Sequence, residues 1–223
     1  MKDQNARCAS CTIKLSERRC RNKNGKAFQG CPTQNEELLN KAMEQYDNPS
    51  VLEFARQASI QEGEGYGNRE MGYDHAIPVK PRIVEIIEFS KKMKYTHIGF
   101  AFCAGLVKEA KIVEKLLSSN GFKVTSVICK VGRIAKEKIG IKDEQKIAIG
   151  CFESMCNPIM QATVLNDSKT QFNVLLGLCV GHDSLFLQHA SAPCTVLAAK
   201  DRLLGHNPLA AIYNIDGYYR SLK

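Results

Sequence analysis

From His97 onward, short apolar runs alternate with stretches of helical period, and this alternation constrains the fold more than any other feature. His97-Ile98-Gly99-Phe100-Ala101-Phe102 reads as a strand ending at Cys103. Residues 106–119 read as a helix stopped by Asn120-Gly121. Lys123 to Ile128 is a second strand, ending at Cys129. A helix starts near Pro158, a good first-turn residue. Phe172 to Leu178 is a third strand, ending at Cys179, and Asp183 to Gln188 opens a helix. Thr195 to Ala199 is a fourth strand, and Asn207-Pro208 starts the last helix. Strands so uniformly apolar belong to parallel sheets covered on both faces. The expected fold is α/β, an open, doubly wound, mostly parallel sheet.

The N-terminal third is different. Residues 1–34 are polar, basic and cysteine-rich, with too few apolar residues to form a core. Such a segment is usually ordered by a metal. Thr33-Gln34-Asn35-Glu36 has the form of a capping box, which predicts a helix through about Tyr46. Asn48-Pro49-Ser50 breaks it, and a second helix follows from about Ser50 to Ile60. Residues 62–79 carry Gly63, Gly65, Gly67, Gly72 and Pro78 and read as a long connection. The expected organisation is a four-cysteine metal-binding loop at 1–34, a helical lead-in with a glycine-rich connection at 35–79, and an α/β domain at 80–223.

Ten cysteines in 223 residues is the compositional anomaly. The first ten residues lack the apolar core of a secretory signal, and no apolar run approaches the roughly 20 residues of a membrane span. A cytoplasmic location is expected. There, thiols serve metal ligation or catalysis more often than disulfides. Cys194, inside the apolar run APCTVLAA, reads as a small core residue, and Cys151 divides evenly between the two roles. Net charge is +8, and Lys14, Arg18, Arg19, Arg21, Lys23 and Lys26 cluster between the N-terminal cysteines. They are a solvated loop, counter-ions to bound thiolates, or a nucleic-acid surface. The last is least expected, because no aromatic residues interleave them.

Cys8, Cys11, Cys20 and Cys31 place four thiols within 24 residues, starting with a Cys-x2-Cys spacing and ending in Cys-Pro. Zinc takes four thiolates, and so does a [4Fe–4S] cluster. The spacing matches neither standard pattern and leaves that choice open. A second group follows from topology. Strand carboxyl ends in a parallel sheet share one edge, where such folds bind ligands. Cys103, Cys129 and Cys179 fall at those ends, and Cys156 precedes the helix start at Asn157-Pro158. They are expected to form one cofactor-binding constellation. Lys130, His182 and Asp183 are catalytic candidates on the same edge, although Asp183 also suits a helix cap. Lys200, Arg202 and His206 are candidates for holding a substrate.

The segments YDHAIPVKPRIVEIIEFSKKM, IGFAFCAGL, VICKVG, CNPIMQATVLN, FNVLLGLCVGHDSLF and APCTVLAAKDRLLGHNP, with the Cys8-x2-Cys11 loop, resemble a prokaryotic family of predicted metal-binding proteins, the domain of unknown function 1847. The resemblance implies metal binding through cysteines in an anaerobe, with Cys103, Cys129, Cys156 and Cys179 at motif positions. It supplies no reaction.

Two readings follow. In the first, a two-site metalloprotein, with iron–sulfur favoured, carries out redox or sulfur-transfer chemistry on a small molecule, with an electron carrier as partner. In the second, a zinc-stabilised module binds or regulates without catalysis, its zinc at Cys8, Cys11, Cys20 and Cys31. Iron with acid-labile sulfide, against stoichiometric zinc, separates the two.

Overall fold

The computed structural model describes residues 5–223, which divide into two compact units, one ending at Ile60 and one from Gln61 to Lys223. No described residue before Gln61 is buried, so the first unit has no core of its own. Its cysteine loop is held by local hydrogen bonds. Arg18 donates from Nε to the Ile13 carbonyl at 2.8 Å and from Nη2 to the Cys11 carbonyl at 2.9 Å. Helix α1, Glu36–Met43, begins one residue after Asn35, whose side chain accepts from the Leu38 amide at 3.0 Å. The cap is therefore Asn35, not the expected Thr33, because Pro32–Gln34 already form a 3-10 turn. Helix α2, Pro49–Glu64, runs past the expected Ile60 into the second unit. There Gln61 is buried and bonded to Glu88 at 2.9 Å and Lys92 at 2.6 Å.

In the second unit, β1 (Tyr66–Gly67) and β2 (Ile77–Pro78) form a small antiparallel pair. Helix α3, Arg82–Lys92, then leads into the main sheet. Strand β3 (His97–Phe102), helix α4 (Val107–Ser119), strand β4 (Lys123–Ile128), helix α5 (Pro158–Asp167), strand β5 (Phe172–Leu176), helix α6 (His182–His189), strand β6 (Cys194–Ala198) and helix α7 (Leu209–Tyr213) complete it. The sheet is parallel throughout, in the order β4-β3-β5-β6. The chain leaves β3 outward to β4, then returns across β3 to β5. Right-handed crossovers in opposite directions put α4 and α5 on opposite faces. The loops after β3 and β5 therefore part, which is where an open α/β sheet forms its crevice.

The core on the α5 face joins Ala101, Val127 and Leu175 of the sheet to Ala162, Leu165 and Phe186 of α5 and α6. A glycine makes room for it. A Cβ on Gly99 would stand 2.0 Å from Oδ1 of Asn173, a fully buried side chain that also accepts from the Thr170 hydroxyl at 2.8 Å. Two strand ends differ from expectation. β5 stops at Leu176 because Gly177 turns away with φ +66, so Cys179 lies in the turn before α6 and not at a strand terminus. β6 begins at Cys194, which is a strand residue. No helix of the described residues is long and apolar enough to cross a membrane.

Candidate functional site

Cys103 and Cys129 each follow the last residue of a strand, and both keep a place in the ladder. The Cys103 amide donates to the Leu176 carbonyl at 3.0 Å and the Cys129 amide to the Phe102 carbonyl at 2.9 Å. Because Phe102 pairs with Ile128, the two thiols leave neighbouring strands side by side, on the α5 face. Cys156 arrives from the other direction. Its following residue, Asn157, caps α5, and the Asn157 amide donates to the Cys129 carbonyl at 2.8 Å. That bond sets the Cys156 sulfur 3.7 Å from the Cys129 sulfur.

Cys129 is the centre of this trio. The Ala104 amide donates to its sulfur at 3.2 Å, while the Gly105 amide donates to Cys103 at 3.4 Å. Hydrogen bonding with Cys129 holds both neighbouring thiols well below the ordinary thiol range, against the opposing effect of their burial. Lys200 adds to the effect at Cys103, and Lys130 and His182 add to it at Cys156. The same bonds, with burial, push the Cys129 thiol up. This is the distribution expected when two thiolates share one donor in a weakly polar pocket.

Gly105 leaves the space that Lys200 needs, since a Cβ there would stand 3.3 Å from Nζ and 3.9 Å from the Cys103 sulfur. Cys179 stands in the β5–α6 turn, and its sulfur accepts from Arg202 at 3.0 Å. His182 and Asp183 open α6, with both amides directed to the Cys179 carbonyl, and Asp183 accepts from the Ser184 amide at 2.8 Å. Lys130 donates to the Ser154 carbonyl at 2.5 Å and lies 4.0 Å from Glu153. His206, at φ +66, accepts from the Asp201 amide at 3.1 Å and so closes the turn that presents Arg202.

Three groups escaped the sequence reading. Gln161 is fully buried in α5, and its Nε2 donates to the carbonyls of Val127 at 2.7 Å and Phe102 at 3.3 Å. It thus spans the ends of β3 and β4 just behind the thiols, while its Oε1 has no partner among the described residues. A lone amide in the apolar run PIMQATVL was the available signal. Glu153 accepts from Lys136 at 2.8 Å and from the Ile147 and Ala148 amides at 2.9 and 3.1 Å. Lys146, with a side chain only 5% exposed, meets Glu137 at 2.6 Å and Asp143 at 2.8 Å and donates to the Cys151 carbonyl at 2.9 Å. Together Glu153 and Lys146 pin the long β4–α5 connection. Cys151 is exposed on this connection. Cys194 accepts from Asn173 at 3.8 Å and donates to the Ala192 carbonyl at 3.2 Å, and burial pushes its thiol up.

In the first unit, Cys8, Cys11, Cys20 and Cys31 line one cavity of about 40 Å³, together with Arg18, Arg19, Lys26 and Phe28. As a donor set, four thiolates suit zinc or an iron–sulfur cluster, and the cations beside them offset the negative charge such a centre carries. As the side chains stand, no group of three or more His, Cys, Asp or Glu among the described residues is arranged to hold a metal ion.

Fold and site define an α/β protein with three thiols, Cys103, Cys129 and Cys156, gathered at the carboxyl edge of its sheet. The chain belongs to the family described as Protein of unknown function (DUF1847), which it matches over residues 31–197. That span contains Cys31 and the crevice thiols, while Cys8, Cys11, Cys20, Lys200, Arg202 and His206 lie outside it. "Uncharacterized protein MJ0455" of Methanocaldococcus jannaschii is 43% identical over 177 residues, covering 79% of this chain and 84% of that protein. No solved structure matches the chain.

Proposed function

We propose that the chain is a cytoplasmic metal-binding protein with two cysteine centres, acting by redox or sulfur-transfer chemistry on a small molecule in the crevice. The observation that carries this reading is the first unit. None of its described residues is buried, yet its four cysteines line one cavity with three cations. A segment without a core is ordered by what its side chains bind. Iron–sulfur is the favoured occupant, because such a cluster would supply or accept single electrons, which a thiol crevice alone cannot do. In the crevice, Cys103, Cys129, Cys156 and Cys179 would offer thiolates to a metal or substrate atom. Lys200 and Arg202 would steady an anionic group, and His182 or Lys130 would move a proton at the substrate. An electron carrier is the expected partner for such a centre.

The test is anaerobic purification followed by metal and sulfide analysis. Iron with equimolar acid-labile sulfide, lost in a Cys8→Ser, Cys11→Ser variant, supports the reading. A colourless protein with stoichiometric zinc at the same cysteines replaces it with the zinc-stabilised binding module.

A further inference from the structure

We propose that Cys129 and Cys156 form a redox-active dithiol that reduces low-molecular-weight disulfides and closes to an intramolecular disulfide. The geometry carries this. Their sulfurs are 3.7 Å apart, and the hydrogen bond from the Asn157 amide to the Cys129 carbonyl holds the two backbones side by side. A disulfide needs the sulfurs at about 2.05 Å, so they must approach by less than about 2 Å, within reach of side-chain rotation. The pair is also asymmetric in access. Cys156 is half-buried, whereas Cys129 is 3% exposed. Dithiols of this kind divide labour between an accessible attacking sulfur and a sheltered resolving one.

The step balances as follows. The Cys156 thiolate attacks one sulfur of R–S–S–R, that bond breaks, and the departing thiolate takes from solvent the proton that Cys156 gave up on ionising. The Cys129 sulfur then attacks the Cys156 sulfur of the mixed disulfide. The second thiolate leaves with the proton of Cys129. Two electrons pass from the protein pair to the substrate, giving one Cys129–Cys156 disulfide and two R–SH. The Ala104 amide, already 3.2 Å from the Cys129 sulfur, stabilises that sulfur as it gains charge before its attack. The difference in exposure sets the substrate class: a small disulfide reaches the half-buried Cys156, and Cys129 is met only through it.

This activity needs no bound metal and goes beyond the two-centre reading, so each can fail without the other. The full-length chain is reduced, treated with chelator under anaerobic conditions, and mixed with excess oxidised glutathione. Acid quench, alkylation and peptide mapping follow, with released reduced glutathione counted. The expected map joins the Cys129 and Cys156 peptides in a species lighter by two hydrogens. Cys156→Ser should release two fewer equivalents of reduced glutathione than the parent chain, and Cys194→Ser the same number as the parent. Recovery of both Cys129 and Cys156 in alkylated form overturns the proposal. So does a stable glutathione adduct on Cys156 with Cys129 alkylated. The mapping is made on the unmodified chain, so a variant that folds poorly does not remove the test.

Discussion

The sulfurs of Cys129 and Cys156 lie 3.7 Å apart although 27 residues separate them in the chain. Hydrogen bonding between the two sulfurs favours the Cys156 thiolate. The thiolate is the reactive form, and a depressed value means that reactivity persists as pH falls below the ordinary thiol range. Alkylation of Cys156 by iodoacetamide should therefore reach half its maximal rate at a lower pH than a free thiol. Cys129→Ala removes that hydrogen bond and should move the midpoint upward. An unchanged midpoint would show that Cys129 does not act on Cys156.

Glu153 should make the β4–α5 connection acid-sensitive. The Lys136 ammonium, helped by the Ala148 and Ile147 amides, lowers its carboxyl to about 2. A depressed carboxylate stabilises the fold fully above its unfolded value, and that contribution fades as pH falls from about 4.5 through about 2. Hydrogen exchange in residues 130–157 should accelerate over that window while β3 and β5 stay protected. In Glu153→Gln the acceleration should be smaller, because one titrating group is gone while Glu137 and Asp143, also lowered by Lys146, remain.

Gln161 ties two strand ends through one amide. Gln161→Met keeps the volume but removes donors to the Val127 and Phe102 carbonyls, and also removes the unpartnered Oε1. Loss of buried hydrogen bonds, partly offset by removing an orphan, should cost about 1–2 kcal/mol in urea denaturation. Gln161→Glu should cost more, since a carboxylate would face two carbonyl oxygens. Equal stability of the two variants would contradict this account.

Two glycines with positive φ should respond differently to alanine. At Gly177 a Cβ would stand 2.2 Å from Cδ1 of the buried Leu106, whereas at Gly181 nothing lies within 4 Å. Gly181→Ala pays only for the left-handed backbone, about 1 kcal/mol. Gly177→Ala adds overpacking and should cost about 2–4 kcal/mol. Paired denaturation curves measure the gap.

Removing metal should unfold only the cysteine loop of the first unit, because the second unit has a buried core. Chelation, or the Cys8→Ser, Cys11→Ser pair, should open residues 5–34 to protease while the second unit remains resistant. Equal cleavage with and without metal would separate that loop from metal-driven folding.

The sheet was legible because its strands carry their own signal. The expected limits of β3 and β4 match the structure residue for residue, as apolar runs bounded by polar residues and glycine leave little choice. β5 was read two residues too long, because Leu178 continues the apolar run and only the backbone shows that Gly177 turns. That turn decides where Cys179 stands, with Arg202 as its neighbour. Helix α1 was placed well but its cap was not, since Thr33 and Asn35 are both good caps and the preceding 3-10 turn selects Asn35. That Cys103 and Cys129 stand side by side at the sheet edge is legible from their places after strands. Their partners are not. Lys146 lies in the polar run KDEQK, which looks solvent-facing, and its burial is created by a loop that folds around it.

The pairing of Phe102 with Ile128 has a further consequence. Side chains alternate across a strand, so sliding β4 by one residue would send the Cys129 sulfur through to the α4 face. The crevice chemistry is thus a readout of strand alignment. A single-residue deletion within β4 can leave a folded sheet with every cysteine present and yet no pair to oxidise. What a lineage must preserve to keep this site is a phase between two strands, and a set of cysteines alone does not record it.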